Sequence, residues 1–187
     1  MKNKITIFLI YIFFCTQSVA ENLNIQSLNM TVDKKTKITI FQNQVSAKDE
    51  KNNQLLTELA EYDKNLQSLK TIGKTTVITS EGYFIDGENF VFDNIKNIIT
   101  SNNSATIKDL ENNEINLENF EYSTVDKLFQ SVGKIKVIDS KQNIYNFTQI
   151  YIDEKKREIV GTDARTFLNE DSFKVDKRNK PRVFSNT

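Results

Sequence analysis

A spacing constrains this chain more than any single residue does. Met30-Thr31-Val32-Asp33, Ala60-Glu61-Tyr62-Asp63, Phe90-Val91-Phe92-Asp93, Phe120-Glu121-Tyr122-Ser123 and Ile150-Tyr151-Ile152-Asp153 are one phrase that returns every thirty residues. It reads apolar, variable, apolar or aromatic, then a turn-former. Eleven residues after the second apolar position stands a residue suited to left-handed geometry, which is Asn43, Gly73, Asn103 and Gly133 in the first four units. An alternating pair follows each: Val45 and Ala47, Thr75 and Val77, Ala105 and Ile107, Ile135 and Val137. Self-similarity at such a period marks a repeat architecture, in which a supersecondary unit stacks on its neighbour because it cannot bury its apolar face alone.

Within a unit the period is two. From about Asn29 to Phe173 the segments are short, rich in Ile, Val, Thr, Phe and Tyr, and separated by Asn, Asp, Gly and Lys clusters, which is the pattern of an all-β chain. Proline is absent until Pro181, so nothing interrupts ladder bonding in interior strands. Each unit is expected to divide into three stretches; in the second these are Gln54 to Tyr62, Leu66 to Ile72 and Lys74 to Ser80, joined by Asp63-Lys64-Asn65 and by Gly73. Leu55 to Tyr62 would pass as helix in isolation. Its partners thirty residues on, Gly87 to Phe92, are β-branched and aromatic, and equivalent units share one conformation, so strand is expected.

Side chains on a strand alternate, so Met30, Ala60, Phe90, Phe120 and Ile150 share one face with Val32, Tyr62, Phe92, Tyr122 and Ile152, while Thr31, Glu61, Val91, Glu121 and Tyr151 point the other way. Stacked units would present a continuous apolar stripe. Two readings follow: the sealed core of a sandwich or solenoid, or the lining of a groove that is not fully closed.

The ends are separate objects. Lys2 and Lys4 precede an apolar run from Ile5 to Phe14, and Ser18-Val19-Ala20 offers a small-x-small cleavage site, so residues 1–20 read as a secretory signal peptide, with an uncleaved anchor as the alternative. Cys15 falls inside it, and a chain cut after Ala20 has no cysteine to form a disulfide in an oxidising compartment. Removing Lys2 and Lys4 leaves 23 basic residues against 25 acidic, a net charge of −2 that carries no footprint for nucleic acid. There is no His, which excludes His-ligated zinc sites, Ser-His-Asp triads and Cys-His dyads, and the carboxylates form no specific constellation. A binding or structural domain without enzymatic activity or cofactor is expected, spanning residues 21–170. The fifth unit departs from the pattern: Gly161 arrives nine residues after Ile152, and Asp163 and Arg165 fall where Ile135 and Val137 stood. Residues 171–187, with Lys174, Lys177, Arg178, Lys180 and Arg182, read as a solvated basic tail or a junction to a further domain.

Glu61-Tyr62 with Gly73-Lys74-Thr75-Thr76-Val77-Ile78, and Glu121-Tyr122 with Gly133-Lys134-Ile135-Lys136-Val137-Ile138, resemble the OstA-type β-jellyroll. That domain is shared by the periplasmic lipopolysaccharide-transport proteins LptA and LptC and by the N-terminal part of LptD. Ile150 to Asp163, ending in Asn179 to Phe184, is most similar to the part of LptD that leads towards its outer-membrane barrel, which leaves open such a barrel beyond Thr187. The disulfide-forming cysteines of well-known members have no counterpart here. The resemblance implies an elongated open jellyroll in the periplasm, associated with the outer membrane, that holds lipid A acyl chains and joins other jellyrolls edge to edge by β-augmentation. The residues it places against acyl chains are Met30, Val32, Ala60, Tyr62, Val77, Phe90, Phe92, Ile107, Phe120, Tyr122, Ile135, Val137, Ile150 and Ile152. A surface β-repeat of the adhesin or S-layer kind, with a closed core and no lipid, is the alternative.

Overall fold

Turn chemistry sets the architecture. In the computed structural model, which describes residues 23–169 and 182–184, Asp33, Asp63, Asp93 and Asp153 each turn a carboxylate back onto the chain. Asp33 Oδ1 accepts from the Lys35 and Thr36 N–H groups, and Asp93 Oδ1 from those of Ile95 and Lys96. The loop then closes on a residue with positive φ: Lys37, Gln67, Asn97, Lys127 or Arg157. These four-residue turns alternate with five-residue ones. There Asp49, Asp109 and Asp139 accept from the backbone N–H groups two and four residues on, and from the side-chain amide of Asn53, Asn113 or Asn143. The Asx preference for bonding its own backbone makes both turns local decisions of the sequence.

Between turns the chain runs as strands: β1 (Asn24–Gln26), β2 (Asn29–Asp33), β3 (Ile38–Lys48), β4 (Gln54–Asp63), β5 (Ser68–Thr71), β6 (Lys74–Ile78), β7 (Phe84–Glu88), β8 (Val91–Asp93) and β9 (Ile98–Ser101). Then come β10 (Ala105–Lys108), β11 (Glu114–Leu117), β12 (Phe120–Ser123), β13 (Leu128–Ile138), β14 (Ile144–Asp153), β15 (Glu158–Thr162), β16 (Arg165–Phe167) and β17 (Arg182–Phe184). All pair antiparallel in one sheet of 17 strands, and the described residues include no helix. The all-β class, the elongated antiparallel stack and the thirty-residue period are as expected.

The internal division of the unit is not. Leu66 to Ile72 and Lys74 to Ser80 belong to one traverse of the sheet, bent at Gly73, so a unit is two long strands rather than three. The residues expected at tight turns sit at this bend. Asn43 and Gln44 form the irregularity where β3 shifts register against β4, Gly73 and Gly133 have φ of +83° and +120°, and Asn103 lies in the gap between β9 and β10. The fifth unit keeps phase after all: Asp163, eleven residues after Ile152, takes the positive φ, and Gly161 pairs with Ile150 inside β15.

This row of bends is a crease dividing the sheet into two leaves. The lower leaf carries the four-residue turns along its rim and contains β2, β5, β8, β9, β12, β15 and the adjoining ends of β3, β4, β13 and β14. The upper leaf carries the five-residue turns and contains β1, β6, β7, β10, β11, β16, β17 and the other ends of β3, β4, β13 and β14. The leaves fold onto each other about the crease. Both rims are laced lengthwise: Lys64, Asn94, Thr124 and Glu154 N–H groups donate to the carbonyls of Lys37, Gln67, Asn97 and Lys127 in the preceding turn, 2.9–3.1 Å away. On the upper rim Asn53, Asn113 and Asn143 Oδ1 accept from the Ser80, Ser140 and Asn169 N–H groups.

Residues 1–22, 170–181 and 185–187 lie outside the described set. The expected signal peptide, with Cys15, and nearly all of the expected basic tail fall there.

Candidate functional site

The inner faces of the two leaves make the interior. Of the fourteen candidate lining residues, Ala60, Val77, Phe90, Phe92, Ile107, Phe120, Tyr122, Ile135, Val137, Ile150 and Ile152 are buried. Tyr62 is half-buried, and Met30 and Val32 are 62% and 51% exposed. The columns therefore share a face as alternation requires. At the N-terminal end no strand among the described residues lies beyond β2 in the lower leaf, and its two apolar side chains lie uncovered.

Aromatic rings fill the middle. Phe120 meets Phe90 edge to face at 4.9 Å and stacks on Phe129 at 5.0 Å, and Tyr122 tilts against Phe129 at 6.1 Å. Gly87 makes the room: a Cβ there would lie 2.7 Å from the Phe90 ring. The candidate residues make up only half of this core. Leu55, Leu69, Ile85, Ile99, Ile115, Leu117 and Phe129 are buried on the intervening strands, and their alternation after each turn is a sequence signal of the same kind as the thirty-residue columns.

A column of small polar residues runs along the crease: Thr71, Ser101 and Ser131, all buried. Thr71 Oγ1 accepts from Phe90 N–H at 2.8 Å, Ser101 Oγ donates to the Glu88 carbonyl at 3.1 Å, and Ser131 Oγ donates to the Asn119 carbonyl at 2.6 Å. Ladder bonding lapses where the strands bend, and these hydroxyls bond to backbone groups there. On the outside of the crease, Glu58 accepts from the Gln44 N–H and Glu118 from that of Lys134. A concavity of about 1100 Å³ opens there, lined in part by Leu56, Glu58, Lys74, Asp86, Glu88 and Asn89.

Opposite the crease, the rims meet along a seam. Lys127 Nζ donates to Ser80 Oγ at 2.6 Å and to Asn53 Oδ1 at 3.2 Å, from the lower rim to the upper. Glu154, also buried, accepts from the Tyr122 hydroxyl at 2.6 Å and from the Thr79 hydroxyl across the seam. Burial raises the Glu154 pKa and lowers that of Lys127, and each is partly offset by the other's charge. Burial, reinforced by Glu154, also pushes the Tyr122 hydroxyl far up, so it remains a donor. One repeat on from Lys127, Arg157 lies 3.9 Å from Glu111. Sequence reading passes over these residues because turn positions held by Lys, Glu, Ser and Asn look like solvated surface.

No family model and no curated protein matches the sequence. Among solved structures, the chain is similar to LptH of Pseudomonas aeruginosa, the LptA-homologous periplasmic component of a lipopolysaccharide transport device. The identity is 11%, the match covers 88% of this chain and 96% of that one, and the TM-score is 0.31. A second likeness, to the TCP10 domain of Danio rerio CPAP bound to a STIL peptide, has 7% identity over 89% and 100% of the two chains and a TM-score of 0.16. At these scores neither likeness carries an argument about function.

Proposed function

We propose that this is a periplasmic lipopolysaccharide-transport domain that holds lipid A acyl chains against its apolar interior and passes them towards the outer membrane. In this reading it is an OstA-type domain of the kind found at the N-terminus of LptD. One observation supports this best: the apolar columns run through five repeats and end uncovered, with Met30 and Val32 exposed at a mouth in line with Ala60, Phe90 and Phe92. Acyl chains meet such a surface without directional bonds, each buried CH₂ contributing about 0.8 kcal/mol. No covalent chemistry enters. Both ends of the sheet offer unpaired edges among the described residues, β1 and β2 at one end and β15 and β17 at the other, which suits β-augmentation by further jellyrolls.

The ring contacts at Phe120 favour a second reading, a structural β-repeat whose core is sealed throughout. Photocrosslinking separates the two. A crosslinker at Met30 or Val32 captures lipopolysaccharide under the first reading and one at Thr31, on the opposite face, does not. Equal capture from both faces, or none from either, leaves the structural repeat.

A further inference from the structure

The interior and its exposed mouth are not continuous. Beyond Met30 and Val32 the columns are packed on themselves, and an acyl chain could reach Phe90 or Phe120 only if the leaves moved apart. The crease cannot open, because the leaves are one chain there. Parting adjacent strands would break ladder hydrogen bonds in both leaves. The seam is different: no backbone hydrogen bond among the described residues crosses it, and it is held by side chains alone.

Its chemistry favours reversible opening. Exposing an apolar seam would cost free energy in proportion to area, whereas a buried ammonium and carboxylate recover hydration as they leave the interior, so such groups add little net stability in place. The seam is also incompletely shut. Between Tyr83 and Ile115 of the upper leaf and Ile152 and Ile159 of the lower, a cavity of about 80 Å³ remains beside the Arg157–Glu111 pair.

We infer that the seam is a latch, fastened by Lys127 on Asn53 and Ser80, along which the two leaves part to admit an acyl chain sideways into the column of Phe90, Phe92, Phe120 and Tyr122. This rests on the lipid-holding reading for its cargo, but not for the motion. Closed, the Lys127 contacts hold the central rungs; open, the lower rim swings away from the upper about the crease, and both leaves keep their ladders.

The test bridges the seam. The full chain carrying Cys15→Ser, Ser80→Cys and Lys127→Cys is folded and then treated with a short bis-maleimide. Single-cysteine chains capped with N-ethylmaleimide control for modification, and Lys127→Gln unfastens the latch without a thiol. Association of fluorescently labelled lipopolysaccharide is followed by anisotropy, and hydroxyl-radical labelling of the buried Phe92 and Tyr122 side chains reads opening without any ligand. Expected is slower labelling in the bridged chain and association slowed roughly ten-fold, within the 1–3 decades over which rates vary among variants of one site. Lys127→Gln is expected to be labelled and to associate faster than the parent. Equal labelling and association with and without the bridge overturn the latch. Failure of every form to bind lipopolysaccharide, with labelling still slowed by the bridge, overturns the lipid reading and upholds the parting of the leaves.

Discussion

Lys127 Nζ lies 2.6 Å from Ser80 Oγ, although the two residues stand at opposite ends of the strand system. Lys127 precedes β13, whose eleven residues would span about 35 Å if straight, and Ser80 lies on the rim towards which β13 runs. Only a sheet folded double at its bends brings them into contact. The Lys127 ammonium and the Glu154 carboxylate then share a seam that excludes water from both.

That burial has a sign that pH can read. Glu154 is faced by the Tyr122 and Thr79 hydroxyls, by Lys127 and by Glu81; burial is the largest influence and raises its folded pKa above the ordinary 4.5. Its contribution to stability is therefore fully present below the unfolded value and lost as pH rises through the raised folded value. Glu154→Gln keeps an acceptor for Tyr122 and removes the titration. Melting temperatures between about pH 4 and pH 8 should show the parent falling progressively behind Glu154→Gln as pH rises, with the gap closing at the acid end. Parallel curves would show that Glu154 titrates as a solvated carboxylate. Lys127 has the opposite consequence: burial lowers its pKa, so stability returns as pH rises from that lowered value towards 10.5.

Two glycines should fail for different reasons. Gly73 has open space where a side chain would project, but its φ of +83° strains any other residue, so Gly73→Ala is expected to cost about 1 kcal/mol. At Gly87 a methyl group would press on the fully buried Phe90 ring and lie 3.1 Å from the Ser104 carbonyl, an overpacking expected to cost about 1–3 kcal/mol. Urea unfolding measures both. Adding Phe90→Leu should recover part of the loss at Gly87 and none at Gly73.

Much of this is legible in the chain. The thirty-residue phrase locates the Asp turns and one inner face of the lower leaf, because turn chemistry and strand alternation are both local. The pair after each left-handed position, such as Ile135 and Val137, locates the upper leaf's inner face for the same reason. The crease reads as a turn because Gly73 supplies the same positive φ to a bend within a strand as to a turn between strands, and only pairing with distant residues distinguishes them. The Lys127–Ser80 contact is beyond reach, since 47 residues separate the partners and neither type signals burial. Whether the fourteen candidate residues touch lipid is a question about occupancy, and an apolar column looks alike in a core and in a groove.

Phe120 sits between the two rings that fill the middle of the interior, edge to face with Phe90 and stacked on Phe129. Phe120→Ala should cost about 3–5 kcal/mol, since neighbours anchored on both sides collapse little into the space. The double change with Phe129→Ala should cost less than the sum of the two single changes, because each removes the same stacking contact. Strict additivity in denaturant unfolding would show that the rings do not depend on one another.

Met30 and Val32 allow stability and binding to be separated. Both project from the inward face of β2, yet they are more than half exposed, and no strand among the described residues covers that end. A charge at such a position loses little on folding, and Val32→Glu is expected to change unfolding free energy by no more than about 0.5 kcal/mol. For an acyl chain lying against the mouth the same carboxylate is costly, since contact with the chain would strip its hydration without offering a partner. Lipopolysaccharide capture should therefore fall several-fold in Val32→Glu while the melting temperature stays within a degree or two. Thr31→Glu, one residue away on the opposite face, should leave both unchanged. A loss of capture in Thr31→Glu equal to that in Val32→Glu would mean that charge repulsion, rather than the apolar face of β2, governs the encounter.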